Sequence, residues 1–214
     1  MLRVLATALL LQACGGPPAA RQLVTVVAPS YNTTYATVTL WSRRGRCWRP
    51  VAGPWQARVG VNGLSARHRE GDGTTPTGTY GFGDVVYGLD RDPGVRYRYH
   101  RLACGDWWDE DPASPTYNRF RHLACGARPP FRGGSEALWR ATVAYRHFAV
   151  VAYNTAAVPG AGSAIFVHQD TGHGTNGCVS LPAPRLVRLL RWLRPADAPR
   201  IAIGTRAQLP AFAR

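Results

Sequence analysis

No apolar run in this chain is long, and glycine or proline recurs throughout. With 23 glycines and 17 prolines in 214 residues, chain breakers recur too often for a bundle of long helices. Short extended segments joined by turns fit between them. "QLVTVVA" (22–28) and "YATVTLWSRR" (35–44) alternate or run apolar on either side of a turn containing Asn32, and predict a β-hairpin. Further strands are predicted in "WQARVGVNG" (55–63), "VRYRYHRLA" (95–103), "HFAVVAYN" (147–154), "SAIFVH" (163–168) and "RIAIGT" (200–205). A polar, glycine-rich loop at 65–83 runs into a short strand, and a second long loop occupies 104–134. Helical spacing is confined to two segments. "SEALWRATVAYR" (135–146) has Ser135 as its N-cap, and "APRLVRLLRWLR" (183–194) sets arginines against a leucine face, as a surface helix on a core does. The expectation is a mainly β single domain over residues 22–214, with one or two peripheral helices.

The N-terminus has a different character. "MLRVLATALLLQACGG" places Arg3 before an apolar stretch from Val4 to Leu11, too short for the roughly 20 residues that span a bilayer. It reads as an export signal. Its ending, Leu11-Gln12-Ala13-Cys14, resembles a bacterial lipobox, which implies lipidation at Cys14, with residues 15–21 as a tether. The net charge of +14 is carried by 26 arginines and no lysine. Such charge favours anionic surroundings. The arginines are scattered from Arg3 to Arg214 with no basic block, so a membrane or wall-polymer surface is expected rather than nucleic acid. The expected location is the outer face of the cytoplasmic membrane, in the cell-wall zone.

An exported chain must account for its thiols. Cys104 and Cys125 lie in similar settings, "LACGDWW" and "LACGARP", and are predicted to close the intervening loop as a disulfide worth about 3 kcal/mol. Cys47 reads as a small buried residue, with pairing to Cys104 or Cys125 as the lesser option. Cys178 remains, in "IFVHQDTGHGTNGCVSLP" (165–182).

Three readings compete for that stretch. His168, His173 and Cys178 supply three zinc-type ligands, but the spacing matches no familiar site and a fourth would have to come from elsewhere, such as His122 or His147. A merely buried cysteine leaves the glycine before it unexplained. A thiol nucleophile explains more of the residues, because a histidine within reach can take the thiol's proton. Ten extended residues would separate His168 from Cys178 by roughly 33 Å. The connection must therefore fold back, and Gly172, Gly174 and Gly177 permit it. The Gly177 and Cys178 amides are then placed to face the oxyanion of an acyl transfer. His168, at a strand end, is the better-held base, and His173 is expected to be exposed or to face substrate.

"SAIFVH…TNGCVSLP" resembles the L,D-transpeptidase catalytic domain (YkuD-like), whose signature is a histidine, a glycine-rich spacer and a Gly-Cys pair. "EGDGTTPTGTYGFG" (70–83) resembles a second segment of that family, and the likeness covers roughly residues 22–206. The resemblance implies a β-sandwich fold and a cysteine acyl-enzyme formed on a peptidoglycan stem tetrapeptide. Terminal D-alanine leaves, and a side-chain amine of another stem accepts the acyl group. Cys178 matches the nucleophile and His168 the base. Asn176 stands where many members carry a histidine, and the spacer from His168 is short. An L,D-carboxypeptidase would use the same acyl-enzyme, and a non-catalytic wall-binding lipoprotein would keep the fold alone. Neither cofactor nor metal is called for.

Tyr153 and Asn154 end the strand before the catalytic one and are candidates to line a groove. The 104–125 loop gathers Asp106, Asp109, Glu110 and Asp111 beside Trp107 and Trp108. These acids are candidates to attract the acceptor's ammonium while the tryptophans wall the groove. A solvated acidic loop fits equally, and a calcium site is a third option.

Overall fold

The computed structural model describes residues 19–209, together with the backbone of Ala13–Cys14. The lipidation expectation for Cys14 concerns a side chain outside the described residues. Among those described, no helix is long and apolar enough to cross a membrane.

One mixed sheet dominates. From one end its order is Gly78–Tyr80, Arg200–Thr205, Gln22–Ala28, Tyr35–Arg44, Cys47–Arg58, Val179–Leu181, Phe166–Gln169, Phe148–Val151, Phe82–Gly88 and Arg98–Arg101. Gly81 alone separates the strand at one end from Phe82–Gly88 near the other. Eight neighbour steps of about 4.8 Å would put them some 38 Å apart in a flat sheet. One residue cannot span that distance, so the sheet rolls over on itself and encloses a core between its two halves.

The hairpin strands 22–28 and 35–44 form as the alternation predicts, with Val24, Val26, Val38 and Leu40 buried. The strand expected at 55–63 instead runs over Cys47–Arg58. The helix Ala183–Trp192 buries Leu186, Leu189 and Leu190, and Leu193 follows them into the core. Arg185 and Arg188 each lie 5.6 Å from the Trp55 ring centre, so the arginine face is partly stacked rather than wholly solvated.

The helix expected at 135–146 does not form. Glu136–Ala137 pairs with the Asp106–Asp109 strand, and only 3₁₀ turns follow at Leu138–Arg140 and Ala144–Arg146. Ser135 caps no helix. Its Oγ accepts from the Glu110 amide at 3.0 Å and donates to the Arg132 carbonyl at 3.1 Å. Strand pairing with a distant segment overrides the local helical spacing.

The Cys104–Cys125 disulfide is present as predicted. It closes a small three-stranded sheet of Asp106–Asp109, Arg119–His122 and Glu136–Ala137. Cys47 departs from its expected role: it is half-buried and disulfide-bonded, with the backbone of Cys14 opposite it in register. Neither Cys104 nor Cys125 is its partner, since those two bond each other.

Candidate active site

Phe166–Gln169 and Val179–Leu181 are adjacent parallel strands, with Val167 level with Val179 and His168 level with Ser180. Stepping back one residue sets Cys178 level with Phe166. His168 and Cys178 therefore share a sheet face two residues apart, because side chains alternate along a strand. Both line a cleft of about 810 Å³. One wall is the 171–178 turn and the other is residues 134–145.

The turn is built by hydroxyl groups as well as glycines. Thr175 Oγ1 donates to the Cys178 carbonyl at 2.6 Å, and Thr75 Oγ1 donates to the same oxygen at 3.2 Å. Thr75, from the 70–83 segment, also accepts from the Gly60 amide at 2.8 Å. This polar frame fixes the residue that carries the thiol. Gly177 has φ +131°, and a Cβ there would lie 3.0 Å from the Thr74 carbonyl oxygen and 3.1 Å from Ile165 Cδ1. Its close approach is to the protein's own backbone. Its amide donates to Thr175 Oγ1 at 3.2 Å, so in this structure it serves the turn rather than an oxyanion.

Cys178 is the free cysteine among the described residues, and it is buried. Its Sγ donates to the Ala164 carbonyl at 3.2 Å and accepts from the Phe166 amide at 3.3 Å. Burial pushes the thiol pKa well up, and the nearby carboxyls of Glu136 and Glu110 add to the rise. His168 Nδ1 lies 2.7 Å from the Gln169 carbonyl oxygen. A carbonyl only accepts, so Nδ1 carries the proton and Nε2 is the bare, basic nitrogen. Burial lowers the His168 pKa to about 4. Thiol and imidazole are thus both neutral at pH 7. Among the described residues no hydrogen bond joins them.

Of the other expected residues, Trp107, His173 and Asn176 line the cleft. Trp107 stands edge-on to Trp139 at 5.1 Å. His173 is exposed, with Nδ1 2.9 Å from the Gly174 carbonyl oxygen. Tyr153 and Asn154 do not reach the cleft. Tyr153 donates to the Ala161 carbonyl at 2.5 Å and borders a separate groove. Asn154 staples its own loop, donating to the carbonyls of Val158 at 3.0 Å and Gly162 at 2.8 Å.

The acids of the 104–125 loop are not free charges, and two of them are shut away from solvent. Asp106 and Asp109 are fully buried. Asp106 accepts from His100 at 2.8 Å, His122 at 2.7 Å and the Ala103 amide at 2.8 Å. Asp109 accepts from Ser114 at 2.5 Å and Thr116 at 2.7 Å. Asp111 accepts from the amides of Ala113 and Arg132. Trp108 is buried under the sheet, with its Nε1 on Asn118 at 3.0 Å, and does not wall the cleft. His122 and His147 are likewise engaged elsewhere, His147 with the Tyr99 hydroxyl at 2.9 Å. Among the described residues no three His, Cys, Asp or Glu side chains converge as a metal site.

Sequence reasoning missed several neighbours. Tyr145 stands edge-on to His168 at 5.8 Å and donates to Glu136. His68, buried beneath the turn, contacts Asp72 at 3.0 Å and Thr74 at 3.1 Å. The "EGDGTTP" motif marked that neighbourhood. Nothing local marked Glu136 and Tyr145, which lay inside a segment read as helix.

A family model describing the L,D-transpeptidase catalytic domain matches residues 31–205. The chain belongs to the L,D-transpeptidase (YkuD) family. The match takes in both the 70–83 segment and the Cys178 turn, which the structure packs together. No curated protein and no solved structure matches the chain. Family members are in general L,D-transpeptidases acting on peptidoglycan stem peptides.

Proposed function

We propose that this protein is a cysteine acyltransferase that cross-links peptidoglycan stem peptides, with Cys178 as nucleophile and His168 as general base. One observation carries the reading: the two side chains share a face of adjacent parallel strands in one cleft, with His168 held by the Gln169 carbonyl so that Nε2 is free. Turning about its Cα–Cβ bond takes Sγ off the Ala164 carbonyl toward the cleft. His168 Nε2 then removes the thiol proton as sulfur attacks the carbonyl of the third stem residue. The proton passes to the departing D-alanine amine, which leaves a thioester. An amine of a second stem displaces the sulfur and completes the amide.

Two expectations accompany this reading. The Cys104–Cys125 disulfide favours an oxidising compartment, which agrees with export. The arginine-rich surface favours an anionic membrane or wall polymer as its setting.

The test incubates the full chain, and separately Cys178→Ala, with a disaccharide tetrapeptide stem, followed by intact-protein and product mass spectrometry. A thioester adduct with cross-linked dimer, both absent from Cys178→Ala, is the expected result. Tripeptide without dimer would make the protein an L,D-carboxypeptidase. No adduct and no product would leave a wall-binding protein that keeps the fold.

A further inference from the structure

The acids of the 104–125 loop are consumed by internal hydrogen bonds, with one exception. Glu110 Oε1 is buried and has no hydrogen-bond partner. Glu110 lies against Glu136, which lines the cleft beside His168 and Cys178. Glu136 accepts from the Tyr145 hydroxyl. Two adjacent carboxyls, one with an unsatisfied oxygen and the other at the edge of a cleft that holds a thiol, are stabilised by a cation in that cleft.

We propose that Glu136, backed by Glu110, is the acceptor-side residue of the cleft: it receives an alkylammonium group and takes the proton that group must lose before attacking the thioester. This deepens the acyltransferase reading and rests on it. An ammonium nitrogen has no lone pair, so aminolysis requires deprotonation first. In the step, R–NH₃⁺ gives one proton to the Glu136 carboxylate. The freed amine forms the C–N bond at the thioester carbonyl and the C–S bond breaks. The second amine proton passes through His168 to sulfur, regenerating the neutral thiol. Glu136 returns its proton to water after the product leaves.

The environment suits that exchange. Burial, then the charges of Glu136 and Glu70, push Glu110 up to about 9, and burial raises Glu136 against the hydrogen bond from Tyr145. Two carboxyls this close favour one proton held on Glu110, which leaves Glu136 as the carboxylate that accepts from Tyr145. The titratable groups facing the pair are Glu70, Asp109, Tyr145 and Cys178, and Arg140, His168 and His173 share the cleft lining.

The test has two arms. In the first, the full chain carrying Cys178→Ala is titrated by calorimetry with Nα-acetyl-lysinamide and with its uncharged counterpart, Nα-acetyl-norleucinamide. The ammonium probe is expected to bind at least tenfold tighter, and adding Glu136→Gln is expected to abolish the difference. A difference that survives the substitution, or that never existed, overturns the proposal. In the second, the ratio of amide to hydrolysed product from the tetrapeptide stem is measured with acetyl-lysinamide as acceptor. Glu136→Gln is expected to lower this ratio about tenfold at pH 7.5, and the deficit is expected to shrink toward pH 10, where a far larger share of the amine is neutral. An unchanged ratio, or a deficit flat with pH, refutes the role. A wild-type chain that forms no thioester would fail the acyltransferase reading alone, because the binding arm still judges Glu136. If Glu136→Gln does not fold, Glu136→Asp replaces it, and loss of the lysine preference in that carboxylate-bearing variant overturns the idea.

Discussion

The resting state of Cys178 makes a quantitative prediction about its reactivity. Many cysteine enzymes hold a thiolate–imidazolium pair, which alkylates rapidly at low pH. Here burial drives both groups the other way, with the thiol pKa raised and His168 lowered to about 4. A free thiol of pKa ~8.5 is roughly one-tenth thiolate at pH 7.5, and each further unit removes another factor of ten. The thiol hydrogen bond to Ala164 stabilises the protonated form further. Iodoacetamide should therefore alkylate Cys178 at least ~30-fold more slowly than free cysteine at pH 7.5. The rate should climb about tenfold per pH unit from 7 to 9.5 with no plateau. His168→Gln should change this resting rate less than about threefold, yet slow acylation by a stem peptide by roughly 10² or more, since the base acts only once sulfur has turned into the cleft. The assay is timed alkylation read by intact mass across a pH series. A plateau below pH 8, or a rate above that of free cysteine, would show a preformed ion pair and refute this account of the mechanism.

Other outcomes follow from individual contacts. Gly177→Ala places a methyl 3.0 Å from the Thr74 carbonyl oxygen at φ +131° and should cost about 1–3 kcal/mol in a denaturation midpoint, with acylation reduced alongside. Thr175→Val removes the 2.6 Å hydrogen bond to the Cys178 carbonyl and should lower acyl-enzyme formation more than it lowers stability, which acylation kinetics beside a thermal melt will separate. Replacing Cys104 and Cys125, 21 residues apart, by serine should lower stability by about 3 kcal/mol, seen as a shift in the thermal melt. Burial alone would raise the Asp106 pKa, but hydrogen bonds from His122, His100 and the Ala103 amide outweigh it and hold the carboxyl below its ordinary value. That stability is present above the unfolded carboxylate pKa and is lost as pH falls through the lower folded one. Asp106→Asn should flatten this acid limb in a pH series of melts.

Residue order was enough to determine the β character of the chain, because breaker spacing and two-residue alternation act locally. The 22–28, 35–44 and 200–205 strands fall where the alternation places them, and the 183–192 helix follows its leucine spacing. The Cys178 turn was legible for a related reason: glycines at 172, 174 and 177 supply backbone freedom wherever the chain happens to fold. Tertiary structure decided what depends on partners distant in sequence. Residues 135–146 carry helical spacing, but Glu136 meets Trp108 across a strand pair, and interstrand hydrogen bonds outweigh a few tenths of a kcal/mol of propensity per residue. Tyr153 and Asn154 follow a strand beside the one that carries His168 yet turn away, because their polar groups are satisfied within their own loop. The same holds for charge. The sequence grouped Asp106, Asp109, Glu110 and Asp111 as equivalent acids, and folding gave three of them hydrogen-bond donors while Glu110 kept an oxygen with none. Composition gives the kinds of group a chain holds. Only packing determines which of them is left unsatisfied near the Cys178 thiol, because desolvation and hydrogen bonding depend on neighbours that the linear order does not record.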